Sequence, residues 1–433
     1  MSRLEPPVAV REICRALQGA GFEAWCVGGA VRDALLGIET LDWDIATSAR
    51  PEEVQRLFRR TIPVGIQFGT VGVLDREGVL HEVTTFRHDV ETDGRHAVVR
   101  FGASLDEDLA RRDFTINAIA VQAETLAIRD PFDGRGDLAR GVVRCVGIAA
   151  ARMEEDRLRA LRAIRFAGRF AFAIDAETWA AICASAPFLT RLSMERVKQE
   201  LDKIMEQVER PSGSLERYRE AGVFAALIPA LADAPALRFR TIDRLARPAR
   251  VRRPARRALR LAALFAEPGQ AAPAALERTL KGLRFSNEEV ALTRSVAAAV
   301  AALPSMAVVT EQFSAEVTLR RFVATVGRLQ VPLVARVLWA RAAAELAAAD
   351  ADAAVLHAAR QTGIRLYRRA MRITWRDPIT LGDLAIDGDD LRGVGIRNGP
   401  EVGATLKRLL ELVLEDPSRN TRESLLAAAS DRQ

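Results

Sequence analysis

Lysine is nearly missing from this chain: Lys198, Lys203, Lys281 and Lys407 are the only ones, and arginine supplies the rest of the 63 basic residues. Histidine is as scarce, and His81, His88, His96 and His357 are too scattered to assemble a zinc site. The four cysteines, Cys14, Cys26, Cys145 and Cys183, show no C-x-x-C spacing and sit in apolar contexts, which excludes a disulfide scaffold and points to buried, reduced thiols. Long apolar runs are absent. The longest, around residues 296–309, contains Pro304 and is too short to span a bilayer. The N-terminal stretch Met1-Ser2-Arg3-Leu4-Glu5-Pro6-Pro7 has no apolar signal region, so a cytoplasmic protein with no membrane partner is expected.

What is present suits a multidomain globular protein. At 433 residues the chain exceeds one compact core, and its 49% hydrophobic and 28% charged content is ordinary for such folds. A net charge of +6 suits a polyanionic partner. Up to about residue 148, short β-rich runs alternate with helices. Residues 51–58 have helical spacing behind a Pro and two acids, and Gly72–Leu74, a turn at Asp75–Gly78 and the run to Phe86 read as a hairpin. Beyond residue 150 apolar positions recur at three and four, as in Leu158, Leu161, Ile164 and Leu259, Leu261, Leu264. The pattern predicts an α+β fold: a mixed sheet with helices, then an all-helical remainder. A joint is expected near residues 208–215 and a change of helix near Asp350-Ala351-Asp352.

Two motifs carry chemistry. Asp42 and Asp44, one residue apart in Leu41-Asp42-Trp43-Asp44-Ile45, would face one side of a strand. Adjacent carboxylates repel unless a cation sits between them, and a hard ion such as Mg2+ fits there while leaving positions for phosphate oxygens. Upstream, the strand Ala24–Val27 runs into Gly28-Gly29 and a helix opening at Ala30. Glycines admit close approach to backbone N–H groups, a helix start favours anions, and Arg32 adds a fork of donors. Together the motifs describe a site for a metal-bound nucleoside triphosphate.

Gly28-Gly29-Ala30-Val31-Arg32-Asp33 with Asp42-x-Asp44 resembles the head signature of the class II nucleotidyltransferases, which comprise bacterial tRNA CCA-adding enzymes and poly(A) polymerase relatives of the DNA polymerase β superfamily. Glu82–Arg87, Arg111–Ala118, Glu155–Phe166 and Glu195–Leu201 are similar to further family motifs in the same order. Gly399-Pro400-Glu401 and Asn420–Glu423 resemble the bacterial tail. The resemblance implies a polymerase β-like head over residues 1–148, a neck carrying a base-recognition helix over 149–210, a body over 211–345 and a tRNA-binding tail over 346–433.

It also implies a reaction: the RNA 3′-hydroxyl attacks the α-phosphate of CTP or ATP with two divalent ions, adding C, C and A to tRNA without a nucleic acid template. Asp42 and Asp44 would hold Mg2+, and Glu82 is a candidate third carboxylate or a partner of Arg87. Gly28, Gly29, Arg32 and Arg112 would hold phosphates and sugar. Asp113 and Asn117 would read ribose hydroxyls, or Asp113 would form an internal ion pair. Asp156 and Arg159, three apart on a helix, would face one side and read the amine and ring nitrogen shared by cytosine and adenine. Arg162 and Arg165 would reach the triphosphate, and Glu155, Glu195 and Arg196 would support the helix. Ten arginines between residues 238 and 260 present either a phosphate-following face or a solvated surface. CC-only addition, A-only addition, poly(A) synthesis and a silent RNA-binding protein are the alternatives, and a loop around Asp93–Ala97 shorter than the CCA-adding pattern bears on the first of these.

Overall fold

The computed structural model of the chain describes residues 4–92, 97–245, 255–267, 273–302, 313–396 and 399–430. They cluster into two compact units, residues 1–204 with 213–233 and residues 205–212 with 234–433.

In the first unit the strands are β1 (Ala24–Val27), β2 (Asp44–Thr47), β3 (Thr61–Gly65), β4 (Thr70–Leu74), β5 (Leu80–Thr85), β6 (Arg87–Thr92), β7 (Ala97–Phe101), β8 (Ala120–Val121) and β9 (Ile128–Arg129). Seven of them form one sheet in the order β3-β4-β5-β2-β1-β8-β9, and β6 pairs with β7 separately. The β4–β5 hairpin is the one expected from the turn at Asp75–Gly78. All neighbours in the large sheet run antiparallel except β2 and β5, which are parallel with Ile45 beside Val83. That register sets Asp44 beside Glu82.

Helices α1 (Val8–Gly19), α2 (Gly29–Leu35), α3 (Pro51–Leu57), α4 (Leu105–Ala110) and α5 (Gly134–Arg140) interleave with these strands. Buried Val10, Ile13, Cys14 and Leu17 recur at helical spacing on α1, and the Cys26 thiol of β1 meets Cys14. Strand side chains alternate, so Val27, Ala46 and Ala120 turn to the other face, where they pack with Phe86, Leu105, Leu109, Ala118 and Val146. Asp44 shares that second face with Ala46.

From residue 149 the unit is built on α6 (Ala149–Glu155), α7 (Leu158–Phe170), α8 (Ala176–Ser185), α9 (Met194–Gln207) and α10 (Pro211–Glu220). One departure from an all-helical continuation is the pairing of Ala173–Ile174 with Val142–Val143. It forms because Ala171, in the left-handed region at φ 57°, ends α7 and turns the chain back.

The second unit is helical. Its helices include Ala236–Asp243, Ala255–Leu264, Asn287–Ala301, Glu316–Val326, Val331–Ala348, Ala353–Arg376 and Gly399–Glu415. The expected change near residue 350 is a turn at Asp350, followed by Asp352 accepting the Val355 N–H at 2.8 Å as a helix cap. No single described helix is long and apolar enough to cross a membrane.

The arginine-rich segment departs from a uniform phosphate-following face. Arg238 is buried against Glu267 at 2.6 Å, and Arg257 reaches Glu206 and Glu289. Arg260, 1% exposed, donates to the carbonyls of Met205, Val208 and Leu245. Buried carbonyls need donors and buried carboxylates need cations, and these arginines supply them. Arg247, Arg250, Arg252 and Arg253 lie outside the described residues, as do Asp93–His96 of the short loop.

Gly134 opens α5 directly against the turn Thr115–Asn117, where a Cβ would stand 2.2 Å from the Thr115 carbonyl oxygen. A methyl group can be accommodated only if the backbone shifts. Gly134→Ala should therefore cost roughly 1–3 kcal/mol of stability, read as a lower urea midpoint. An unchanged midpoint would show that the turn gives way freely.

Candidate active site

Glycine 28 is where the site converges. It has φ 76° and ψ −134°, a backbone conformation that disfavours a side chain. A Cβ built there would lie 3.0 Å from a terminal nitrogen of Arg112 and 3.5 Å from a carboxylate oxygen of Asp44. The end of β1, the start of β2 and the arginine after α4 thus meet around one missing side chain. Gly29 begins α2 one residue earlier than expected, so the helix start faces this same place.

Asp44 begins β2, opposite Val27. Asp42 precedes the strand rather than lying in it and is exposed, while Trp43 between them is buried, 3% exposed. The two carboxylates therefore are not held by strand alternation. Trp43 is anchored inward between them, its indole N–H donating to the Thr40 carbonyl at 3.3 Å. Burial, and then the charges of Asp42 and Glu82, push the Asp44 carboxyl up to about 6, with Arg112 opposing them. A carboxylate cluster with too little positive charge is the donor set that a divalent cation with oxygen ligands fits. Among the described residues no three acidic, thiol or imidazole groups gather tightly enough to cage an ion alone. Glu82 is exposed, and Arg87 donates to the Phe68 carbonyl.

Arg112 is oriented by Asp108, a buried residue of α4 that accepts from Arg112 at 3.2 Å and from Arg111 at 3.0 Å. Asp108 was not singled out in the sequence, although its i,i+4 spacing to Arg112 was the available signal. The Arg112 Nε is buried with no partner among the described residues.

Arg32 is placed differently from expectation. It is 3% exposed and points into the protein, donating to Asp33 at 2.6 and 2.8 Å and to Asn117 at 2.5 Å. Its guanidinium lies 5.0 Å from the Phe166 ring and 4.8 Å from the Phe170 ring of α7. Burial lowers its pKa, and Asp33 counters this. An arginine so enclosed has no free donor fork for a phosphate. Asp33 also accepts from Arg169 at 2.7 Å.

Asp113 forms an internal ion pair, accepting from Arg162 at 2.7 and 2.9 Å and from Asn117 at 2.8 Å. Burial works against its charge, yet Arg162 and these hydrogen bonds hold it below the usual carboxylate range. Arg165 likewise does not reach toward phosphates. It is 4% exposed and bound to buried Glu200 at 2.6 Å.

The helix expected to carry Asp156 and Arg159 on one face is broken. Asp156, extended at φ −149° and ψ 104°, separates α6 from α7. Its carboxylate accepts the Leu158 N–H at 3.0 Å, the local bond by which an aspartate displaces helical pairing, and a guanidinium N–H of Arg196 at 2.7 Å. Arg159 turns to Glu155 at 2.6 Å and to the Arg111 carbonyl at 3.2 Å. Glu195 and Arg196 lie in the first turn of α9.

Comparisons with known proteins fit this geometry. Residues 24–144 match the poly A polymerase head domain, and residues 171–234 match a probable RNA and SrmB-binding site of polymerase A. The CCA-adding enzyme of Geobacillus sp. (strain WCH70) is 47% identical over 231 residues, 53% of this chain and 56% of that protein. That of Latilactobacillus sakei is 45% identical over 223 residues, 51% and 55% of the two. The matches thus span about half the length of these relatives. The solved Thermotoga maritima CCA-adding enzyme complexed with tRNA shares the fold at TM-score 0.65 and 23% identity, over 97% of this chain and 94% of that one. The Bacillus stearothermophilus CCA-adding enzyme, solved with CTP, superimposes at TM-score 0.72 and 31% identity over 98% of this chain and 96% of its own. With that identity held across nearly the whole of both chains, this protein belongs to the CCA-adding enzyme family of nucleotidyltransferases.

Proposed function

We propose that the protein adds C, C and A to the 3′ end of tRNA, using CTP and ATP and no nucleic acid template, and that it does so in the cytoplasm. The observation that carries this reading is the meeting of Asp44, Gly28 and Arg112 at the end of β1, with Asp42 and Glu82 adjacent. The chain is read as a head over residues 1–148, a neck over 149–210, a body over 211–345 and a tail over 346–433.

Asp42 and Asp44 hold Mg2+, with Glu82 contributing charge from β5. When bound, the ions lower the pKa of the RNA 3′-hydroxyl and neutralise charge on the leaving pyrophosphate. Gly28 and Gly29 let the triphosphate approach the start of α2, and Arg112, aimed by Asp108, donates to it. Asp113 and Asn117 border the sugar. Arg162 contributes through Asp113, while Arg32 and Arg165 brace the site from inside.

Asp156 accepts from the exocyclic amine of cytosine or adenine, and Arg159 donates to the ring nitrogen beside it. Arg196 holds one Asp156 oxygen and leaves lone pairs for the base. Uracil and guanine present a carbonyl to the same carboxylate, which costs the mismatched base its hydrogen bond.

Asp42→Ala and Asp44→Ala should each abolish nucleotide addition while leaving tRNA affinity within a few-fold, measured by extension and by equilibrium binding. Turnover retained in both variants would remove the metal-site assignment. With tRNA ending at its discriminator base, CTP alone should give two additions and CTP with ATP three, sized by nucleotide. A stop at two with both present would identify CC-only addition, use of only CC-ended tRNA would identify A-only addition, and long adenylate tails on unrelated RNA would identify poly(A) synthesis. Asp156→Ala should reduce discrimination against UTP and GTP by roughly ten- to a hundredfold, the ~1–3 kcal/mol of one bidentate base contact. Selectivity kept intact would assign base reading elsewhere.

A further inference from the structure

Three guanidinia line one concavity of the second unit with little to neutralise them. Arg210, in the link between α9 and α10, and Arg240 and Arg244, at the end of the helix Ala236–Asp243, surround a cavity of about 430 Å3. Ala344, Ala347 and Ala348, at the end of the helix Val331–Ala348, contribute small side chains that leave the space open. The lining holds a single carboxylate, Asp243, which Ser212 binds through its backbone N–H at 3.0 Å and its hydroxyl at 2.7 Å and whose charge acts on Arg210 and on the enclosed Arg260, so three guanidinia face one anion. Arg240 and Arg244 are exposed, and neither makes a side-chain hydrogen bond or ion pair with any described residue. Their neighbours Arg238 and Arg260 are engaged inside the protein, and Arg257 is paired with Glu206 and Glu289.

Like charges gathered around a concavity raise its potential and draw an anion. The planar fork of a guanidinium fits a phosphate in a bidentate way, and arginines from two segments can approach one phosphate from different sides. We propose that Arg210, Arg240 and Arg244 form a phosphate-binding site and that its ligand in the working enzyme is a backbone phosphate of the substrate RNA. The identity of the RNA rests on the function proposed above, whereas the phosphate chemistry does not.

The test compares the full-length protein with Arg240→Ala/Arg244→Ala and Arg240→Lys/Arg244→Lys, all checked for equal thermal midpoints. Binding of a tRNA transcript lacking its CCA end is measured across a KCl series, and inorganic tripolyphosphate is titrated calorimetrically in parallel. The alanine pair should weaken RNA binding on the order of tenfold and flatten the dependence of log K on log salt by about one to two, while the lysine pair keeps most of the slope. KM for CTP should not change. Loss of tripolyphosphate binding with RNA binding intact would assign the site to a free polyphosphate and overturn the RNA ligand. RNA and tripolyphosphate binding both unchanged would overturn the site. If the wild-type protein fails to extend tRNA yet the alanine pair still loses RNA affinity, the activity reading falls and the pocket stands.

Discussion

The burial of one arginine governs the organisation of the first unit. Arg32 leaves solvent to bind Asp33 and Asn117 and to lie against Phe166 and Phe170. Asn117 passes the chain of hydrogen bonds to Asp113 and Arg162, and Asp33 passes it to Arg169. The helix whose start meets the glycine turn is thereby joined to α7 at three points along its length. A buried guanidinium with one contact missing would be left charged and unsatisfied, so the network holds or fails as a whole.

This arrangement separates the tasks of the arginines. Those that fix structure are enclosed: Arg32 and Arg165 here, Arg260 and Arg320 in the second unit, each below a tenth exposed. Others keep a partner on one side and stay partly exposed, as Arg112 does with Asp108 and Arg159 with Glu155, and these are the ones the proposed function assigns to ligand. With lysine nearly absent, one residue type does both. It is suited to both because its planar head satisfies several acceptors at once and remains charged when desolvated.

The carboxylates follow the same division. Asp113, Asp108 and Glu200 are consumed by arginines. Asp44 is the half-buried acid whose charged neighbours are mainly other acids, and burial with Asp42 and Glu82 lifts its pKa to about 6. Under the proposed function, a cation held by Asp42 and Asp44 would relieve that disadvantage.

Much was legible along the chain. The hairpin at Asp75–Gly78, the helix from Pro51, the change of helix at Asp350–Asp352 and the glycine turn after β1 all follow from local preferences of a few consecutive residues, which act before any tertiary contact forms. The family motifs were legible for the same reason: they are short and ordered. The partners of each side chain were not. Sequence spacing put Asp156 and Arg159 on one helical face, but the Asp156 carboxylate took the Leu158 N–H and Arg196, 40 residues away, and the helix broke there. Arg32 stands in the first turn of a helix that the sequence pattern assigns to phosphate, yet two phenylalanines more than 130 residues later offer it rings and draw it inward. The sequence by itself determined the elements and the set of groups near the site. Only the tertiary structure decided which charges pair inside and which remain for a ligand, because that choice depends on burial and on partners brought together from distant parts of the chain.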